Sequence, residues 1–287
     1  MYLSMNSMMI FGMGYTAQVL AERLRAAGWL VRGTGSAGDI AFNDGAAVRE
    51  ALGAATHVLS SVPPLRAGGG DPVLDTYGAD IAGSGVAWIG YLSSTGVYGD
   101  AGGAWVDESA VVGQGRRTAR AAADLDWQAL DDRVRVFRLP GIYGRGRSAL
   151  ERVAEGRAHR IAIPDQVFSR VHVDDIASGV IASFTGPAGV YNLADDLPCS
   201  QNTVIEEAAR LLGCEPPAMQ SLEQANLSAM ALAFYAENRR VANGKARRVL
   251  GWSPSYPTYR EGLRALRAIV SPTIASTEPP AASSDQR

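Results

Sequence analysis

The sequence predicts an α/β protein: a doubly wound parallel sheet with a smaller C-terminal lobe. Two patterns carry that reading. Short apolar runs alternate with amphipathic helical stretches from the start of the chain, as βαβ units require. The first apolar run ends in Phe11-Gly12-Met13-Gly14-Tyr15-Thr16-Ala17, a Gly-x-Gly-x-x-Ala turn between a strand and a helix. Length agrees, because 287 residues suffice for one large domain with an added lobe.

Met8 to Phe11 is the first strand. Thr16 to Ala27 carries Val19, Leu20, Leu24 and Ala27 at helical spacing, with Gly28 as the C′ residue. Trp29 to Arg32 begins the second strand, and Ile40 to Phe42 makes a short third. Asp44 caps a helix through Val48 and Leu52. His57 to Val62 is the fourth strand, ended by Pro63-Pro64. The next helix runs from Asp71 to Ile81, with Asp71 as N-cap and Pro72 at N1. Val86 to Ser93 is the fifth strand, Arg116 to Leu130 a long alanine-rich helix, and Val134 to Leu139 the sixth strand, stopped by Pro140-Gly141. Later, Asp174 to Phe184, Ser200 to Leu212 and Tyr259 to Ile269 read as helices and Val190 to Leu193 as a strand. Residues 5–195 thus form the expected nucleotide-binding Rossmann domain, and 196–270 supply elements of a substrate lobe. The Pro/Ser/Ala/Thr-rich stretch 271–287 is expected to be a disordered tail.

Composition narrows the function classes. At 47% hydrophobic and 20% charged residues, the chain is ordinarily globular, and its net charge of −2 gives no reason to expect nucleic acid or an anionic membrane. No apolar run reaches membrane-span length, and Met1 to Ile10 lacks the basic region of a signal peptide. Cys199 and Cys214 make no disulfide framework in a chain this long; they read as free thiols, and a cytoplasmic protein is expected. No metal site is expected. Of the 27 basic residues, Lys245 alone is a lysine and the rest are arginine.

The glycine turn has a specific physics. Gly12 permits the tight turn, Gly14 lets a pyrophosphate approach the backbone, and Ala17 lets the helix pack close to the sheet. The first amides of the helix, around Tyr15 and Thr16, then face the phosphates. After the second strand comes Gly33-Thr34-Gly35-Ser36, with no acid until Asp39. The hydroxyls of Thr34 and Ser36 leave room for a ribose 2′-phosphate, which favours NADP(H) over NAD. Arg32 lies nearby, although strand alternation can turn it away. Asn43 and Asp44 are placed to approach the adenine, and Val62, Pro63 and Pro64 to line the cofactor trough.

Three further blocks follow in order: Ser93-Ser94-Thr95-Gly96-Val97-Tyr98-Gly99, then Arg138-Leu139-Pro140-Gly141-Ile142-Tyr143-Gly144, then Ser169-Arg170-Val171-His172-Val173-Asp174-Asp175. With the glycine turn, their order and spacing resemble the extended short-chain dehydrogenases/reductases, the group of NAD-dependent epimerases and dehydratases. The resemblance covers roughly residues 8 to 270. It is closer to an atypical branch that begins Gly-x-Gly-Tyr-Thr and carries a later stretch similar to Phe234-Tyr235-Ala236-Glu237-Asn238-Arg239-Arg240-Val241-Ala242-Asn243.

By this resemblance Ser94 is the serine that hydrogen-bonds the substrate's reacting oxygen; the alternative is that Ser94 and Thr95 satisfy local backbone groups. Ser93, Pro140, Gly141 and Ile142 fall among the expected cofactor contacts, and Thr95 among those to substrate. The family's Tyr-x-x-x-Lys pair is missing. Its two positions here are Arg116 and Arg120. Arg120 can donate to the cofactor's ribose or phosphate, but arginine does not release a proton at ordinary pH. Tyr98 and Tyr143 are therefore the candidate proton donors, both usually structural in the family. His172 is a candidate acid–base or substrate-contacting group, with an anchor for helix and lobe as the alternative. Asn238 and Arg239 match a region that grips substrate phosphates in sugar-nucleotide enzymes; a charged surface helix is the alternative.

The resemblance implies an NAD(P)-binding oxidoreductase acting on a carbonyl, alcohol or sugar-type small molecule. Two alternatives stand beside it: a nucleotide-sugar epimerase or dehydratase that retains its cofactor, and a non-catalytic NAD(P)-binding sensor or partner protein. Homodimerisation through the helices after the fourth and fifth strands is a further expectation from the family.

Overall fold

A computed structural model describes residues 6–65, 70–113, 115, 118–227, 232 and 234–270. Its centre is a six-stranded parallel sheet. The strands are β1 (Ser7–Phe11), β2 (Leu30–Gly33), β3 (His57–Ser60), β4 (Trp88–Ser94), β6 (Val134–Leu139) and β10 (Gly189–Asn192), in the spatial order β10-β6-β4-β3-β1-β2. The chain passes from β1 to β2 on one side and returns to β3 on the other, so the strand order reverses at β1. In such sheets a crevice opens at that switch, beyond the carboxyl ends of the strands.

Both faces of the sheet are covered, and its strands accordingly read as apolar runs rather than alternating ones. Met8 and Ile10 face one layer with Leu20, Leu24, Trp88 and Val180, contributed in part by α1 (Tyr15–Ala26) and α6 (Val173–Ala182). Met9 and Phe11 face the other with Val48, Tyr77 and Trp127, from α2 (Gly45–Gly53), α3 (Pro72–Ala82) and α4 (Thr118–Leu130). A third cluster joins Tyr143, Leu150, Val204, Ala208, Tyr259 and Leu263. It packs α5 (Ala149–Ala154) against α7 (Gln201–Leu212) and α9 (Tyr259–Val270), which makes the lobe beside the crevice.

The caps explain several boundaries. The Asp71 carboxylate accepts from the amides of Val73 and Leu74 at 2.9 and 3.1 Å, with Pro72 at the first helical position. Gly28 takes φ +82° after α1, and the Trp29 amide reaches back to the Leu24 carbonyl at 3.0 Å. Small pieces complete the structure: β5 (Trp105–Val106) pairs with β12 (Arg240–Val241), β7 (Gly141–Tyr143) with β9 (Arg170–His172), and β8 (Arg160–Ile161) with β11 (Met219–Gln220), while α8 is Gly244–Leu250.

One expected strand is absent. Ile40 to Phe42 makes only a single parallel bridge, Thr34 to Ile40, leaving β2 at the sheet edge. The Asp44 amide bonds the Ala41 carbonyl at 3.0 Å, so the chain turns at once into α2 and leaves too short a run to pair. Arg116, Arg117 and the tail 271–287 lie outside the described residues.

Candidate functional site

The carboxyl ends of β1, β3, β4 and β6 open into one cleft of about 1050 Å³ between the sheet and the lobe. Its floor at β1 is the glycine turn. Gly12 has φ +85°, and its amide is held by Thr34 Oγ1 at 3.2 Å while the Thr34 carbonyl accepts from Met13 at 2.6 Å. The Ser61 hydroxyl donates to the Gly12 carbonyl from the end of β3. A Cβ on Gly12 would press to 2.8 Å of Val62 Cγ2, so this glycine is required by the protein's own packing.

Gly14 is different. Its backbone is extended, and a Cβ there would meet nothing closer than the Gly12 carbonyl at 4.0 Å. The protein leaves that volume open. Directly behind it, α1 begins without a side-chain cap and without an acidic residue in its first turn. Unbonded amides and the positive end of the helix dipole therefore point at an unfilled space, the arrangement that receives a phosphate. Ala17 is fully buried at the helix–sheet contact. These residues fit a dinucleotide's diphosphate.

Tyr15 and Thr16 line the cleft, and the Tyr15 hydroxyl donates to the Arg145 carbonyl at 3.0 Å, tying α1 to the loop before α5. Ser61 and Pro63 form the β3 wall, whereas Val62 packs into the core and Pro64 is buried. At the β6 end, Pro140, Gly141 and Ile142 line the cleft. The structure separates three residues expected near the adenine end: Thr34 is buried as the anchor of the glycine turn, Ser36 is exposed off the cleft lining, and Asp44 caps α2 by accepting from Ala47 at 3.1 Å. At the end of β2, the Arg32 guanidinium instead pairs with Asp39 at 2.9 Å, and Asp39 also accepts from the Gly33 amide at 2.8 Å.

At the end of β4, Ser93 and Ser94 diverge. The Ser93 hydroxyl is buried and donates to Asp124 Oδ2 at 2.5 Å. Asp124 is held in turn by Arg138 through a two-pronged contact of 2.7 and 3.1 Å. Ser94 lines the cleft, and its oxygen accepts from the Gly96 amide at 3.1 Å, capping the 3₁₀ turn Thr95–Tyr98. That contact uses a lone pair and leaves the hydroxyl proton free, so capping and donation to a ligand are compatible. Thr95 also lines the cleft, as does Arg120 on α4.

The two candidate phenols turn inward. Tyr98 donates to Asn192 Oδ1 at 2.7 Å and accepts from Arg138 at 3.1 Å, fully inside the protein and off the cleft lining. Tyr143 touches the cleft, but its hydroxyl is buried without a partner against Gly262, and burial drives its pKa above the usual range. His172 faces a separate cleft of about 380 Å³, with its ring between Tyr143 and Tyr256. Its Nδ1 accepts from the Asp174 amide at 3.2 Å as the cap of α6, and burial lowers its pKa to about 4. Asn238 is itself off the cleft lining, but it spans Asp165 and Val167 at 2.9 and 3.2 Å and so pins the loop whose Val167 lines the cleft. Arg239 lines the cleft, paired with Glu237 at 2.8 Å and donating to the Gly99 carbonyl at 2.5 Å.

Several cleft residues were not singled out from the sequence: Ser61, Arg147, Arg152 and Phe168, while Tyr235 entered only as part of the stretch Phe234–Asn243. Only the near absence of lysine hinted that arginines would build a site here. Among the described residues, no group of three or more His, Cys, Asp or Glu is placed to hold a metal, and no helix is long and apolar enough to cross a membrane.

No protein-family model matches the chain. Among curated proteins, a 3-diazoavenalumate denitrifying reductase from a Streptomyces species is 30% identical over 163 residues, about half of each chain (51% of this one, 52% of the reductase). Protein YeeZ of Escherichia coli K12 is 27% identical over 74% of this chain and 86% of its own length. Among solved structures, human epimerase family protein SDR39U1 with NADPH has a TM-score of 0.68 at 16% identity, covering 91% of this chain and 99% of that one. MoeE5 in complex with UDP-glucose and NAD has a TM-score of 0.70 at 18% identity, covering 92% and 98%. A functionally unknown conserved protein from Silicibacter pomeroyi DSS superposes with a TM-score of 0.81 at 40% identity, covering 92% of this chain and 99% of its own. The chain therefore belongs to the same family as the Silicibacter pomeroyi protein, built on the fold of the NAD-dependent epimerases and dehydratases.

Proposed function

We propose that this protein is an NAD(P)-dependent oxidoreductase acting on a carbonyl or alcohol carbon. One observation carries the reading: the uncapped start of α1 over Gly14 and the free hydroxyl proton of Ser94 share one cleft. The Streptomyces relative, a denitrifying reductase matched over about half of its length, supports the redox part of the reading.

When bound, NAD(P) supplies a hydride donor or acceptor. The amides behind Gly14 hold its diphosphate, while Pro140, Gly141 and Ile142 line the nicotinamide end. The turn Gly33-Thr34-Gly35-Ser36 at the end of β2 carries no acid, which leaves room for the 2′-phosphate of NADP, while Arg32 is already paired with Asp39. Arg120 stands where the family places its lysine and offers a fixed cation to ribose hydroxyls. Ser94 donates its proton as a hydrogen bond to the substrate's reacting oxygen, steadying the charge that develops there. With Tyr98 and Tyr143 turned inward, the proton itself is exchanged with water or another group of the substrate.

The test pairs a cofactor titration, followed by NADPH and NADH fluorescence, with NADPH consumption over a panel of carbonyl compounds. Wild type binds and turns over. Ser94→Ala keeps its cofactor Kd within about twofold and loses about 10- to 100-fold in kcat. Failure to bind either cofactor overturns the reading. Cofactor that survives purification, with no net NADPH consumption, assigns the site to a retained-cofactor epimerase instead.

A further inference from the structure

Two rings stand at right angles on the wall of the main cleft. Phe168 and Tyr235 meet edge to face, with ring centres 5.6 Å apart and planes at 85°. Both line the cleft, and both are only half-buried. The backbone that carries them is pinned. Phe168 exchanges two backbone hydrogen bonds with Cys199, at 2.9 and 3.2 Å. The buried Gln166 amide donates to the Glu237 carbonyl at 2.9 Å, which ties the segment bearing Phe168 to the segment bearing Tyr235.

The same two segments are tied to the strand ends where the reaction is placed. The Ser169 carbonyl, one residue beyond Phe168, accepts from the Gly141 amide at 3.1 Å, and Gly141 lines the cleft just past β6. On the Tyr235 side, Arg239 donates to the Gly99 carbonyl at 2.5 Å, just past the turn that Ser94 caps. Val167 and Leu227, also half-buried, extend the wall with apolar surface, while Arg239 and Glu237 neutralise each other at 2.8 Å. Apolar surface that faces an open cleft is surface a ligand can remove from water. Two perpendicular rings offer more than area. A third flat ring can stack on one and meet the other at its edge, and each such contact adds to what burial alone gives. A saturated ring of the same size gains the area only.

We propose that Phe168 and Tyr235 form an aromatic corner that seats a flat ring of the substrate itself. This rests on the oxidoreductase reading and adds a substrate class: an aryl carbonyl or aryl alcohol, with its ring in the corner and its reacting carbon at Ser94. Arg147 and Arg152 enter the same cleft from α5 and the loop before it, so a sugar nucleotide is the competing occupant.

The test uses carboxamides, which hydride does not reduce under these conditions. 2-Naphthamide, its fully saturated decalin analogue and UDP-glucose are titrated by calorimetry into the full chain saturated with NADPH. Wild type binds 2-naphthamide with a Kd below about 1 mM, at least about fivefold tighter than the saturated analogue. Phe168→Leu and Tyr235→Leu each bring that ratio below about twofold, whereas Tyr235→Phe keeps it. NADPH affinity stays within about twofold in all three variants, and the thermal midpoint within about 3 °C. The corner is overturned if wild type takes up no carboxamide, with or without binding of UDP-glucose. Equal binding of the aromatic and saturated amides overturns it too, as does an unchanged ratio in both leucine variants. If wild type takes up no NADPH, the oxidoreductase reading falls, and the same titrations on the free protein still decide the corner.

Discussion

Replacing Asp124 by alanine should destabilise the protein by about 3–5 kcal/mol. The Arg138–Asp124 pair is almost fully buried, with side chains 3% and 0% exposed. Its geometry is two-pronged, at 2.7 and 3.1 Å, and the carboxylate also receives Ser93 at 2.5 Å and Gln128 at 2.8 Å. Without Asp124 the Arg138 guanidinium stays buried, left with the uncharged Tyr98 hydroxyl at 3.1 Å. The cost is that of an uncompensated interior cation, not of one lost contact. Urea unfolding followed by circular dichroism measures it, with Arg138→Met as the reciprocal change. In the double variant both charges are gone, so its loss should fall short of the sum of the single losses by about 2 kcal/mol or more. A loss below about 1 kcal/mol in Asp124→Ala would refute the argument, as would strict additivity.

Two further outcomes follow from the same structure. Gly12→Ala should cost about 1–3 kcal/mol in urea unfolding, because a side chain there must adopt φ +85° and press against Val62 at 2.8 Å. Asp195 is buried with neither carboxylate oxygen bonded to another side chain, and burial raises its pKa to about 7 despite Arg170 nearby. Its folded pKa lies above its unfolded one, so its contribution to stability is present at low pH and lost as pH rises through about 7. Asp195→Asn should therefore gain stability relative to wild type between pH 5 and pH 8, by about 1.4 kcal/mol per pH unit until the group is ionised. Unfolding curves at both pH values check it, and a pH-independent difference would contradict it.

Local sequence was informative where local physics decides structure. β6 occupies Val134–Leu139 as expected, because an apolar run meets Pro140 and has nowhere else to go. Asp71 was legible as a cap since its partners are two and three residues away. Ile40 to Phe42 failed because a three-residue run cannot outcompete the turn that starts α2. At the site, Ser94 was legible from its block, and the structure brings it to the cleft with Gly14, Thr16 and Pro140. Tyr98 was not: its inward direction depends on Asn192 and Arg138, far along the chain. Arg152 carries no motif at all. The folded lobe alone brings it to the same cleft lining as Arg170 and Tyr235.

The two glycines of the turn separate packing from ligand binding. Gly12 is needed by the fold, whereas the space over Gly14 is left open by it. The most direct measurement is NADPH binding, by fluorescence titration, to wild type and to Gly14→Val, with thermal unfolding of both. The account predicts saturable binding by wild type, a variant whose midpoint stays within about 3 °C, and at least about tenfold weaker binding by that variant. A wild type that takes up no NADPH, or a folded Gly14→Val that binds it equally well, would contradict the claim that this turn holds a dinucleotide.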